Sequence, residues 1–142
     1  MKNALSALAL VLLVAATACT GNNSTSSTAT TTPTTVTRTT DTFTGTVQVR
    51  GSDFHSLPVA QAGQVDVTLT VAGPPSTIAM GLDVGSPNAS ACVPFAGGSA
   101  NVVAGSVAQL SGVLSAGTIC VQVRDIGNAT GPVSYTVTIL HP

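Results

Sequence analysis

Residues 43–142 predict an all-β fold, an antiparallel β-sandwich of about seven or eight strands. Apolar and polar residues alternate with period two through most of the segment. Gly, Pro, Asn and Ser interrupt the alternation at short intervals, as turns require. No stretch repeats its apolar residues at helical spacing. Regular short strands with one apolar face and one polar face are the pattern of two packed antiparallel sheets.

The strands follow in order. Phe43, Gly45, Val47 and Val49 alternate with Thr44, Thr46, Gln48 and Arg50, and Gly51-Ser52 turns the chain. His55, Leu57 and Val59 form the next strand, which Pro58 restricts to an edge or a bulge. Val65, Val67, Leu69 and Val71 against Asp66, Thr68 and Thr70 are the clearest strand. Ile78, Met80, Leu82 and Val84 make another, with Ala79, Gly81 and Asp83 on its opposite face. Two Pro and several Gly predict a loop over 86–98. Residues 101–114 hold one or two short strands. Ile119, Val121 and Val123 alternate with Cys120, Gln122 and Arg124; a turn over 125–132 leads into Val133, Tyr135, Val137 and Ile139.

Composition narrows the function classes. Only 6% of the 142 residues are charged, against roughly a quarter in an ordinary soluble domain. There is no Glu, and Lys2 is the sole Lys. A net charge of -1 gives no basic surface, so nucleic acid is not expected as a partner. Leu, Ile, Val and Phe make up about a quarter of the chain, enough for one small core.

The N-terminus reads as a targeting segment. Lys2 precedes an apolar run from Ala4 to Ala16 broken only by Ser6, right for a signal-peptide core and short of the roughly 20 residues that span a bilayer. Ala15-Ala16-Thr17-Ala18 stands directly before Cys19 and resembles the lipobox of bacterial lipoproteins, with Ala16 where that family prefers Leu. The resemblance implies a signal peptide over 1–18. It also implies Cys19 as mature residue one, carrying diacylglycerol and palmitate-class acyl chains and so attached to a membrane by lipid. An ordinary secretory cleavage nearby is the competing reading. Thr20, in place of Asp, implies an outer membrane over an inner one if the host has two.

Residues 20–42 hold 12 Thr and 3 Ser. With almost nothing to bury, this stretch is expected to be disordered, so that 19–42 tethers the domain of 43–142 to the lipid. Thr with Pro33 is also the composition of O-glycosylated stalks.

Cys92 and Cys120 remain, an even pair in an exported domain, and read as a disulfide tying the 86–98 loop to the outer face of the strand at 118–124. A reactive thiol pair or a metal site is the sharper alternative, but the chain has no Cys-x-x-Cys and only two His.

No catalytic residues are assigned. His55 lies mid-strand, and His141 lies one residue from the C-terminus, where side chains are usually mobile. The chain lacks Gly-x-Ser-x-Gly, His-Glu-x-x-His and a phosphate loop. Asp66 falls on a solvent face, and Asp53 and Asp125 fall in turns where Asp caps the backbone. No cofactor and no metal are expected. Phe95, the one aromatic in a loop, either stacks on a bound sugar or peptide or covers the neighbouring disulfide.

A family resemblance rests on Asp53-Phe54, on Ala62-Gly63-Gln64-Val65-Asp66-Val67-Thr68-Leu69, on Leu114-Ser115-Ala116-Gly117-Thr118-Ile119-Cys120-Val121-Gln122-Val123, and on Tyr135-Thr136-Val137-Thr138-Ile139. Together these resemble the bacterial pre-peptidase C-terminal domain over most of residues 43–140. The resemblance implies a jelly-roll-like sandwich of the kind appended to exported proteases. Ile119-Cys120 stands where that family often has an aromatic pair, a departure that a partner for Cys120 explains. Some collagen-binding relatives use calcium on acidic residues near the N-terminal side. Here that side offers Asp41 and Asp53, while Asp125 and Asn128 suit a hydrogen-bonded turn.

The reading favoured is a lipid-anchored, exported, non-catalytic binding or structural domain of the cell envelope with a protein or polysaccharide partner. An accessory docking subunit of a larger exported enzyme or secretion complex is the alternative, and a small hydrolase a remote one.

Overall fold

In the computed structural model the described residues are 36–142. Cys19, the 1–18 segment and most of the Thr-rich stretch lie outside them. Eight strands follow one another: β1 (Thr39–Val47), β2 (Ser52–Val59), β3 (Gly63–Gly73), β4 (Ala79–Asn88), β5 (Ala91–Val103), β6 (Leu110–Leu114), β7 (Gly117–Asp125) and β8 (Val133–His141). They form two four-stranded antiparallel sheets, ordered β1-β8-β3-β6 and β2-β7-β4-β5. Every connection except the β4–β5 hairpin crosses from one sheet to the other, which is the winding of a jelly roll.

The alternation read from the sequence decides which residues face inward. Val133, Tyr135, Val137 and Ile139 of β8 and Val65, Val67 and Leu69 of β3 meet Leu57 and Val59 of β2, Met80, Leu82 and Val84 of β4 and Ile119, Val121 and Val123 of β7 in one core. Fully burying such a side chain contributes about 1.5–3 kcal/mol. Thr68, Thr70, Thr136 and Thr138 fill the central outward positions of β3 and β8, where a branched Cβ suits a strand and the hydroxyl sits on the polar face.

Two expectations are corrected. Residues 86–98 are not a loop. β4 runs on through Pro87 to Asn88, Ala89 takes the left-handed conformation (φ 50°) at the turn, and β5 returns from Ala91. β5 lies at a sheet edge, where Pro94 need not supply an amide to a second neighbour. Gly85 pairs with Pro94 and Asp83 with Ser99, so Phe95–Gly98 bulges out opposite Val84 alone. The Pro and Gly that suggested a loop therefore mark an irregular edge strand. At the other end, β1 begins at Thr39, within the stretch expected to be tether. Thr39 to Thr42 pair with His141 to Thr138 of β8, and β-branched residues next to a free edge extend the ladder.

Cys92 and Cys120 form a disulfide with Cα atoms 5.7 Å apart. Cys120 points to the outer face of β7, opposite Ile119 and Val121, so the bond fastens the β4–β5 hairpin onto that face. The bridged residues are 28 apart in sequence, a loop whose closure stabilises by roughly 3–4 kcal/mol in the chain-entropy model. Replacing both cysteines with Ala is expected to lower the urea-unfolding free energy by about that amount. A loss below about 1 kcal/mol, allowing for the method's error, contradicts the assignment of this tie as a major stabiliser.

Candidate functional site

The two lateral sides of the sandwich differ. On one side β1 lies over β2, and side chains close the gap. On the other β6 lies over β5, and the bulge of β5 leaves a cleft of about 90 Å³. Its lining is Val65, Val67, Val84 and Phe95, the Ala96–Gly98 segment, and Leu110, Ser111, Gly112 and Leu114 of β6. Phe95 is 38% exposed, and on its far side a second depression runs along Val113 to Ile119. Three contributions build this place. The β5 bulge lifts Phe95 off the ladder. The disulfide holds the start of β5 three residues before Phe95. The short strand β6 pairs only with β3, which leaves its other edge unpaired and Val113 80% exposed. The cleft is smaller than the several hundred Å³ of a cofactor site, and it matches one apolar side chain.

The closed side carries a hydrogen-bonded chain across the two sheets. Asp53 and His55 share the inner face of β2 with Leu57 and Val59. The Tyr135 hydroxyl donates to Asp53 Oδ2 at 2.8 Å, and His55 Nε2 lies 2.8 Å from the same hydroxyl. A carboxylate only accepts, so the phenol proton goes to Asp53 and His55 donates from Nε2. The His55 ring stacks on Phe43 of β1 at 4.6 Å with an interplanar angle of 4°. Burial first, and the Asp53 carboxylate second, push the Tyr135 phenol above its ordinary pKa, so it stays a donor. Gly45, opposite Tyr135 in the β1–β8 ladder, makes room: a Cβ there would run into Asp53 Oδ2 and lie 2.7 Å from the Tyr135 hydroxyl. Asp, His and Tyr are thus bonded to one another and not to a Ser or Cys nucleophile.

Most of the other ionisable groups among the described residues are also engaged. Arg38 Nη2 donates to Asp66 Oδ2 at 2.6 Å and reaches the carbonyls of Gln64 and Leu140. Hydrogen bonds from Gln64, Ser111 and Arg38 bring the Asp66 carboxyl down to about 2. Asp125 accepts from the backbone amides of Arg50, Gly127, Asn128 and Ala129, a cap of the 125–132 turn that lowers its pKa. His141 is not mobile as its position suggested. It is 6% exposed in β8 and donates to Asp41 of β1 at 3.1 Å. Asp41 and Asp53 bind different partners and do not converge. Among the described residues no group of three or more His, Cys, Asp or Glu is placed to hold a metal ion.

No protein-family model and no curated protein matches the chain. Among solved structures, the chain is similar to the periplasmic inhibitor of g-type lysozyme from Aeromonas hydrophila, at 20% identity and a TM-score of 0.46 over 72% of this chain and 86% of that one. A likeness at that level does not carry a function across.

Phe95 was marked by the sequence, and the structure places it in the cleft. Alternation alone places Leu110 and Leu114 in a short-strand region and Tyr135 on one face of the last strand. Their roles come from contacts across the two sheets, which alternation does not encode. The Gly97-Gly98 pair was the one sequence signal of the bulge. Tyr135→Phe, which leaves Asp53 and His55 without their shared partner, is expected to cost about 1–3 kcal/mol in urea unfolding. A change within about 0.3 kcal/mol contradicts the tie between the sheets.

Proposed function

We propose that the chain is an exported, non-catalytic binding domain of the bacterial cell envelope, anchored by lipid on Cys19 and holding a protein partner through the cleft at Phe95. The observation that carries the reading is the cleft itself. Its walls are Val, Leu and Phe side chains with glycine backbone, and its volume of about 90 Å³ suits one buried apolar side chain of a partner. A small apolar pocket that one anchor side chain fills and desolvates on binding is the arrangement of an interface hot spot. A polysaccharide would find few hydrogen-bonding side chains there, since Ser111 is the only polar residue in the lining. Absence of catalysis is supported by the engagement of Asp53, His55 and Tyr135 with one another.

The lipobox-like run before Cys19 supports the anchor, and Thr20 supports an outer membrane in a host with two. The jelly-roll winding is compatible with the pre-peptidase C-terminal resemblance. An accessory subunit docked on a larger exported enzyme or secretion complex would use the same cleft, with that enzyme as the partner.

The test uses lipidated protein extracted from its native membrane. Intact mass is expected to give a chain beginning at acylated Cys19; an unmodified thiol, or a start elsewhere, contradicts the anchor. Cross-linked partners are then compared between the natural protein and Phe95→Ala. The expected result is a partner lost by at least about tenfold in the variant, with its melting temperature unchanged. Identical partner sets with both proteins contradict the assignment of the cleft.

A further inference from the structure

The outer face of the second sheet carries a different inventory. Strand register places Phe54 of β2, Gln122 of β7, Asp83 of β4 and Ser99 of β5 side by side in one row across the four strands. The neighbouring row is Ser52, Arg124, Gly81 and Asn101. An aromatic ring, two amides, a carboxylate, a guanidinium and hydroxyls thus share one flat surface of a domain that otherwise has few charges.

Two features set this surface apart from an ordinary solvated face. Asp83 is 3% exposed, and its Oδ1 has no hydrogen-bond partner in the protein. Its Oδ2 accepts from Arg124 Nε at 2.9 Å. A buried acceptor left unmet costs about 1–3 kcal/mol, so a native fold that keeps one generally supplies it with a partner. Arg124 has no backbone ladder reason to cross the sheet, yet its side chain lies flat over Gly81, where a Cβ would fall 2.6 Å from its Cγ. Only Nε of that guanidinium meets Asp83, and the side chain is 37% exposed. Its outer donors therefore face solvent beside an acceptor that lacks a donor.

We propose that this face is a saccharide-binding surface, separate from the Phe95 cleft, which takes a neutral sugar unit on the Phe54–Gln122–Asp83–Ser99 row. A pair of adjacent sugar hydroxyls donates and accepts at neighbouring points. The Arg124 guanidinium and the Asp83 carboxylate offer that pairing in one place, once the exposed guanidinium shifts to admit a hydroxyl to Oδ1. Gln122 and Asn101 add amide donors and acceptors, and the apolar C–H face of the sugar packs on the half-buried Phe54 ring. Gln122 and Asp83, at the centre of the row, lie on the doubly paired strands β7 and β4, which fixes their backbone positions. A protein segment is disfavoured because the row is mostly polar and offers no apolar pocket for an anchoring side chain. A phosphorylated or acidic ligand is disfavoured because Asp83 neutralises the single Arg.

The test is a titration of the full mature protein with cellohexaose, mannohexaose and chitohexaose, followed by amide chemical shifts. Saturable binding of at least one is expected, with shifts confined to residues 52–56, 81–83, 99–101 and 120–124. Phe54→Ala and Gln122→Ala, whose side chains are outside the core, are each expected to weaken binding about tenfold or more. Phe95→Ala is expected to leave it unchanged. Absence of saturable binding by all three sugars up to about 10 mM overturns the proposal. So does binding that survives both substitutions, or shifts centred on 94–98, which would assign the sugar to the cleft. Loss of the protein partner in Phe95→Ala with sugar binding intact separates this inference from the function proposed above.

Discussion

The fold depends on one contact, the interlocking of apolar side chains between the central strand pairs of the two sheets. Tyr135, Val137 and Ile139 from β8 and Leu69 from β3 press on Val121 and Val123 from β7 and Met80 and Leu82 from β4, all 2% exposed or less. The domain is small, so the fraction of its surface that can be buried is modest. Its remaining stabilisers therefore lie where the core cannot reach. The disulfide fastens the hairpin of an edge strand, the Asp53–Tyr135–His55 chain bridges the two sheets at the β1–β2 side, and Arg38 and His141 fasten the start of β1 to the end of β8.

Scarcity of charge sharpens this division. Each carboxylate of the described residues makes a defined contact: Asp41 with His141, Asp53 with Tyr135, Asp66 with Arg38, Asp83 with Arg124, Asp125 with backbone amides. Four of these join side chains distant in sequence, and the fifth shapes a turn and ties it to the backbone of Arg50. Asp66, with a carboxyl near 2 in the folded state against an ordinary value of 3.8, favours folding at neutral pH. That contribution is full above the unfolded value and falls away as pH drops toward the folded one. Surface solubility is left to Thr and Ser hydroxyls, which also suit extended backbone.

Much of this was legible in the sequence. Period-two alternation located all the core strands, because burial on one sheet face leaves a direct trace in residue order. An even cysteine pair, read beside an N-terminal run that resembles an export signal, pointed to the disulfide. Less was legible at the edges. Pro87, Pro94 and Gly97-Gly98 imitate a loop, although an edge strand tolerates all of them. Thr39 to Thr42 have a tether's composition and became strand only because β8 offered a free side. The position of His141 suggested a loose end, and Asp41 on the facing strand made it a fixed one. The candidate sites sit among these same edge and cross-sheet features, since a cleft or a row across strands is made by register, and register is a pairing property.

The resulting arrangement has a doubly paired, buried centre and a β5–β6 side where a bulge and an unpaired edge flank the cleft, the side whose backbone bonds are expected to open first. Native-state hydrogen exchange followed residue by residue tests this most directly. Amides of β7 and β8 are predicted to exchange only through global unfolding. Those of Phe95–Gly98 and Ser111–Val113 are predicted to open locally at a free energy lower by about 2 kcal/mol or more. Equal protection of the bulge and the central strands, or rapid exchange in β7 or β8, would contradict it.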